Sequence, residues 1–447
     1  MQQVQPQKQG RKVTHRSIAF GVLGILLLCS AQSLIAEPKC GGEVLCAGTV
    51  IDASNIDQLL DSTFDGHRIG DMLLDSVIMQ VRDYNLKIEL SHAQPWPRNI
   101  YLDEASQNNI GKVSLDPETN RVVGWKVGEP FPIIDEQDPD AGLKIMWNFQ
   151  YALHKGNSQN WVEYAFITSD QKNGLERTET YTYQVVYTIG RYGPGVEPTI
   201  GDGTIAERNI TRWLGPRDKK GDGAYSVQYD TGAFTDTWAY LEKIRRTRRV
   251  SGASWFSPIG NLDYLADDGN MFRSYPTWYD GFKLLGTKTI LAVGKSKEPI
   301  WVPDASSHDA KYPRIDFANP PHWNPVDDWE PREVYVVEIT PPQEHPYSRK
   351  VVYLDKEFWI GYMGEAYNRD GEFFKWFSHA YRLHPLDYEG GFAIWGDWAV
   401  GVDFKRGHAS IFGGHSTYFN SPEIAKMVDQ SNLGQKERKL SATAMRP

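Results

Sequence analysis

Tyr181-Thr182-Tyr183-Gln184-Val185-Val186-Tyr187-Thr188-Ile189 decides the fold class. Tyr181, Tyr183, Val185, Tyr187 and Ile189 recur every second residue, with Thr182, Gln184 and Thr188 between them. Successive side chains of a strand point to opposite faces, so this period marks a half-buried antiparallel strand with an aromatic side. Similar runs are Trp161 to Ile167, Trp238 to Val250, Phe282 to Val293, Arg332 to Ile339, Lys350 to Leu354 and Phe373 to Trp376. Clusters such as Gly201-Asp202-Gly203 and Pro216 to Gly223 separate them as turns. The expectation is a mainly β (α+β) fold built on one large antiparallel sheet with an aromatic face.

Composition agrees. Of 447 residues 13% are aromatic, including 15 Trp and 23 Tyr, and there are 40 Gly and 26 Pro but only 3 Cys. Aromatic residues favour strands, while Gly and Pro favour turns. The net charge of -9 repels phosphate backbones, which argues against a nucleic-acid partner.

Lys8, Arg11, Lys12 and Arg16 precede the apolar run Ile18 to Leu28, followed by the small residues Ala31, Ser33 and Ala36. A run this short is that of a secretory signal peptide rather than a spanning helix. Residues 1–36 are therefore expected to be removed, with cleavage after Ser33 or lipidation at Cys29 as competing outcomes, which places the mature protein in the periplasm. Cys40 and Cys46 remain as an even pair in an oxidising compartment, which predicts a small disulfide loop. Two Cys alone cannot supply a structural metal site.

Between Gly66 and Ser91, Ile69, Leu73, Val77, Val81, Tyr84 and Ile88 fall three or four residues apart, which predicts one amphipathic helix ending before Pro95 and Pro97. Pro303 to Pro331 has neither period and reads as a long loop. The expected organisation is a signal peptide at 1–36, an N-terminal segment at 37–124, a β domain at 125–430 and a flexible tail at 431–447.

Standard catalytic signatures are missing: there is no Gly-x-Ser-x-Gly, P-loop, His-Glu-x-x-His or dinucleotide glycine fingerprint. His379, His384, His408 and His415 match no metal template, and Asp135 to Asp140 lacks the pattern of a calcium loop. Acid pairs such as Asp267 and Asp268 read as solvated turns, although an aromatic-lined carbohydrate cleft would use such pairs. The sharpest charge feature is Lys243-Ile244-Arg245-Arg246-Thr247-Arg248-Arg249. On one continuous strand Lys243, Arg245 and Arg249 would share a face and Arg246 and Arg248 the other. They would pair with acids such as Glu333 and Glu338, or meet an anionic head group.

Several islands are similar to those of a bacterial secreted family, domain of unknown function number 1329. They are Gly128-Glu129-Pro130-Phe131-Pro132 with Gly142-Leu143 and Trp147-Asn148, the run Lys243 to Val250 with Lys283 to Lys288, and Pro331 to Glu338 followed by His345-Pro346-Tyr347-Ser348-Arg349-Lys350, Tyr353-Leu354-Asp355 and Trp359. Tyr367, Asp370-Gly371-Glu372 and Gly407-His408-Ala409 form a weaker last island. The islands keep family order from about residue 125 to 410, whereas the segment before Trp125 matches poorly. The family usually shows Tyr-Asp where this chain has Tyr367-Asn368, so Asn368 receives no role.

The resemblance implies a fold similar to the lipoprotein carriers LolA and LolB: an open half-barrel, strongly curved, with helices covering its concave side. It also implies handling of lipid or another hydrophobic molecule at the outer membrane. Expected partners are that ligand and outer-membrane or exporter proteins, with no cofactor, metal or catalytic group. Aromatic residues expected to line the cavity are Phe131, Trp147, Tyr151, Tyr183, Tyr187, Trp238, Trp278, Trp359 and Trp376, with Arg245, Arg246 and Arg249 as a polar gate. The alternatives are a non-carrier assembly partner and, after it, a carbohydrate-active enzyme.

Overall fold

The structure, a computed structural model, describes residues 40–152, 154–252, 255–297, 301–303, 311–414, 416–420 and 424. The readings of the signal peptide, Cys29, His415 and the C-terminal tail lie outside the described residues. Residues from Cys40 onward form one compact unit.

Fourteen antiparallel strands make one curved sheet that does not close into a barrel. They are β1 (Ser158–Asp170), β2 (Gly174–Tyr187), β3 (Ile205–Gly215), β4 (Gly223–Tyr229), β5 (Asp236–Leu241), β6 (Arg246–Val250), β7 (Gly281–Ala292), β8 (Glu330–Thr340), β9 (Arg349–Asp355), β10 (Gly361–Tyr367), β11 (Phe373–Pro385), β12 (Phe392–Asp403), β13 (His408–Gly413) and β14 (Ser416–Phe419). The order is β6-β5-β4-β3-β2-β1-β13-β12-β11-β10-β9-β8-β7, and β14 also pairs with β1. Two meanders, β1 to β6 and β7 to β13, are thus zipped together at β1 and β13. Because β6 and β7 lie at opposite edges, the connection between them, residues 251–280, has to traverse the width of the sheet.

That connection covers one face, here the front. Lys375 and Phe377 of β11, Gly401 of β12 and Ser410 and Phe412 of β13 share it by register. Tyr264 sets its ring against Phe377 and Phe412, with centroids 5.3 and 4.5 Å away. A Cβ on Gly401 would lie 2.4 Å from the Tyr264 ring, so glycine is what lets the connection seat this closely. On the back face Trp376, Val402 and Ala409 follow one another across the register and are fully buried. Ile56, Val77, Val81 and Leu86 of the N-terminal segment belong to the same core cluster.

Helix α1 (Asp75–Asp83) and helix α2 (Ile100–Asn109) lie in the N-terminal segment, and helix α3 (Ala141–Tyr151) lies on β7. A Cβ on Gly142 would meet Phe282 O at 2.7 Å and Leu284 N at 2.9 Å. Both are backbone atoms and cannot rotate away. Gly142→Ala is expected to cost about 1–2 kcal/mol despite alanine's better helix propensity; unchanged denaturant stability would show that α3 is not seated on β7.

The expected single helix between Gly66 and Ser91 is broken. One turn spans Ile69–Met72, Leu73 and Leu74 are extended and buried, and α1 follows. Both leucines enter the core, so the apolar spacing runs on unbroken while the backbone does not. Ile88 lies on a short strand, Ile88–Glu89, paired with Val50–Ile51. The strand expected from Trp238 to Val250 is likewise two strands, β5 and β6, joined by a tight turn at Glu242–Ile244 with Arg245 left-handed at φ 49°. Within Pro303 to Pro331, Ile315–Asp316 pairs with Asn324–Pro325 and Glu330 opens β8, so that stretch is not wholly loop. Cys40 and Cys46 are paired, with Cα atoms 5.4 Å apart.

Candidate ligand-binding site

The aromatic side of β2 faces front: Tyr181 is opposite Tyr164 of β1, which shares a side with Phe166 and, across the next register, Phe412. Tyr164, Tyr181, Tyr183, Val185 and Tyr187 pack as one cluster with Trp161 and Phe166. The Trp161 and Tyr183 rings are 4.5 Å apart. Glu207 of β3 is the register partner of Tyr187, so its carboxylate stands beside this strip.

Two cations meet the strip. Arg273, carried across the sheet by the connection, donates from Nη2 to Tyr183 Oη at 3.0 Å and to Glu207 Oε1 at 2.7 Å. Its side chain keeps 42% of its surface accessible. Lys155, just before β1, holds its Nζ 4.3 Å from the centre of the Tyr187 ring. Among the described residues Lys155 Nζ has no hydrogen bond or ion pair. Burial pushes this ammonium down to about 8, although the residue is only half-buried by surface. Burial also pushes Tyr183 up to about 12 and the nearby Asp230, which accepts from Tyr151 Oη at 2.5 Å, up to about 6.

Of the residues expected to line a cavity, Phe131, Trp147, Tyr151 and Trp278 meet in a second cluster with Tyr275, where Trp147 and Tyr151 stack 5.1 Å apart. Tyr183 and Tyr187 belong to the strip. Trp238 does not: it pairs with Tyr225, and Tyr225 with Ile210, on the side of β3 opposite Thr211, the partner of Tyr183. Trp376 is on the back face, and Trp359, stacked 5.9 Å from Tyr335, is buried in the main core. Arg246 and Arg249 lie on the exposed edge strand β6 and Arg245 at its turn. The turn separates Lys243 and Arg245 from Arg249, so the three do not share a strand face. Arg249 pairs with Asp236, whereas Glu333 pairs with Lys356 and Glu338 with Arg349.

The acids expected on the surface at Asp267 and Asp268 are buried. Asp268 accepts from Lys350 Nζ at 2.6 Å and Tyr347 Oη at 2.7 Å, and Asp267 is 3.0 Å from His345 Nε2. Burial alone would raise the Asp268 carboxyl, but Lys350 and Lys375 outweigh it and hold it below the ordinary carboxylate range. His345, Tyr347 and Lys350 all belong to one family-like island, so that island pins the connection that carries Arg273. Lys155 and Arg273 themselves carried no motif; a lone arginine inside Met271-Phe272-Arg273-Ser274-Tyr275 was the available signal.

Away from this strip, a concavity of about 280 Å³ is lined by Pro258, Gly260, Asn261, Asp263, Lys375 and Arg406 among others. Its carboxylate, Asp263, is engaged by Ser410 Oγ at 2.8 Å, Arg406 at 2.7 Å and His408 Nδ1 at 2.5 Å. Ser410 donates to the carboxylate and His408 Nε2 faces Glu176 at 2.9 Å, so this trio is not arranged for proton relay from serine to imidazole. His379 and His384 are buried apart from it. Asp138, in the acidic run Asp135 to Asp140, is paired with Lys144.

The model of the family described as "Protein of unknown function (DUF1329)" matches residues 50–445, reaching well before Trp125, where the recognisable islands stop. No curated protein matches the sequence. Similar solved structures include a DUF1329 family protein from Desulfovibrio piger, 16% identical, with a TM-score of 0.45 over 66% of this chain and 100% of that one. Another is the LolA superfamily protein NE2245 from Nitrosomonas europaea, 14% identical, with a TM-score of 0.35 over 62% of this chain and 92% of that one.

Proposed function

Because the chain belongs to the DUF1329 family, we propose that it is a periplasmic protein that binds or transfers a hydrophobic ligand, a lipid or lipoprotein-like molecule, at the outer membrane, with no chemical step of its own. The observation that carries this reading is the front strip of β2, where Tyr181, Tyr183, Val185 and Tyr187 meet charged side chains, and Arg273 stays open to solvent above them. Apolar walls with a few placed polar groups are what a small-ligand site needs. Each methylene of a buried chain contributes about 0.8 kcal/mol, enough for useful affinity. The expected leader at residues 1–36 supports the compartment.

Delipidated protein is expected to enhance the fluorescence of an environment-sensitive apolar dye, with the signal displaced by a long-chain lipid. Binding unaffected by Tyr183→Ser together with Tyr187→Ser would place the ligand elsewhere. A second reading, an assembly partner that docks without cargo, is favoured by one observation: the edge hairpin of β5 and β6 exposes Leu241, Ile244 and Val250 beside its arginines. In that case the dye would bind weakly and replacement of those three residues would abolish a pull-down of membrane proteins.

A further inference from the structure

We propose that Lys155 and Arg273 form a head-group site, so that the ligand is an amphiphile whose apolar chain lies along the aromatic strip and whose head is an oxyanion, carboxylate or phosphate. This rests on the binding reading above and specifies its ligand class. Tyr183 and Tyr187 are two rungs apart on one side of β2. Arg273 is fixed over the first and Lys155 over the second. Arg273 also reaches Glu207, the register neighbour of Tyr187, so the two cations converge at that end of the strip.

The donors are open. Both Arg273 contacts use Nη2, and among the described residues Nη1 and Nε have no hydrogen-bond partner. Lys155 Nζ is without one as well. Two carboxylates act on Lys155, Glu207 and Asp230, and Arg121 shares Asp230 with it, so the three cations Lys155, Arg273 and Arg121 outnumber the carboxylates by one, which is left for a ligand. A cation kept deep in protein without a carboxylate of its own costs desolvation free energy. An incoming oxyanion recovers that cost, accepting from guanidinium and ammonium at once through charge-assisted hydrogen bonds. A neutral head could not do so, and a quaternary ammonium head would be repelled.

The test compares palmitate, lysophosphatidate and the neutral methyl palmitate on delipidated full-length protein, by displacement of an apolar dye. At neutral pH at least one anion is expected to bind about tenfold more tightly than the ester; which anion does so separates a free fatty acid from a phospholipid-derived ligand. Lys155→Met should reduce that preference severalfold without lowering thermal stability, and Lys155→Arg should restore it. In the wild type the preference should also shrink as pH is raised past about 8, where Lys155 gives up its proton. Equal binding of ester and anions, or an undiminished preference in Lys155→Met, overturns the head-group site alone. Failure of all three probes to bind overturns it together with the binding reading.

Discussion

Lys350→Met is expected to cost about 3–5 kcal/mol in unfolding free energy, the range found when one partner of a buried ion pair is removed. The Asp268 and Lys350 side chains are both buried, and the carboxylate also accepts from Tyr347 Oη and Leu265 N. Without the ammonium, Asp268 keeps hydrogen bonds but loses its nearest positive charge, with Lys375 the remaining cation nearby. The loss is one of an uncompensated charge, so Lys350→Met combined with Asp268→Leu should recover part of it. Because this pair anchors the connection between β6 and β7, the single variant should also weaken ligand binding at Arg273, while the Lys155 variants should not lower stability. Urea unfolding of the single and double variants gives the coupling directly; additive effects would contradict it.

His379 carries a large pH effect, matched among the histidines by His384. Burial, with the Lys350 charge adding to it, pushes its imidazole down to about 3. The unfolded chain titrates near 6.5, so between these values it binds more protons than the folded one, and stability is lost as pH falls through that window. The penalty grows by about 1.4 kcal/mol per pH unit. Between pH 6.5 and 5 wild type should therefore fall by about 2 kcal/mol relative to His379→Leu. His408 has the opposite sign, its Asp263 hydrogen bond raising it, which is why the comparison is made between proteins that differ only at residue 379. Parallel stability curves for the two would sink this assignment.

The strands were readable where β-forming residues run long between turn residues. Phe282 to Val293 and Arg332 to Ile339 lie within a residue or two of β7 and β8, because each is a run rich in β-branched, aromatic and leucine side chains, even though β7 shifts register between Leu284 and Gly286. What was unreadable has local causes. The turn at Glu242–Ile244 has no glycine or proline to mark it, and its Arg245 takes a left-handed backbone that glycine or asparagine would have signalled. Leu73 and Leu74 continue a helical spacing while breaking the helix. Asp267 and Asp268 read as surface because His345, Tyr347 and Lys350, which meet them, are 78 to 82 residues away in the chain.

The site shows the same division. Tyr183 and Tyr187 were visible from period two alone, whereas Trp238 was assigned to the same lining because period does not say which side of a neighbouring strand faces front. That depends on register, and the register puts Trp238 behind. Lys155 and Arg273 became candidates only once two meanders and the connection across them placed a residue before β1 and a residue after β6 over one strand.

The central claim is that this sheet holds an apolar ligand against β2. Native mass spectrometry of the protein isolated from its own periplasm tests it most directly. The expected spectrum contains, besides the mature chain, a species heavier by the mass of one amphiphile, which is released on denaturation and lost in a protein carrying Tyr183→Ser and Tyr187→Ser. A spectrum of the bare mature chain alone, from a protein that after purification also binds no apolar probe, would contradict the account.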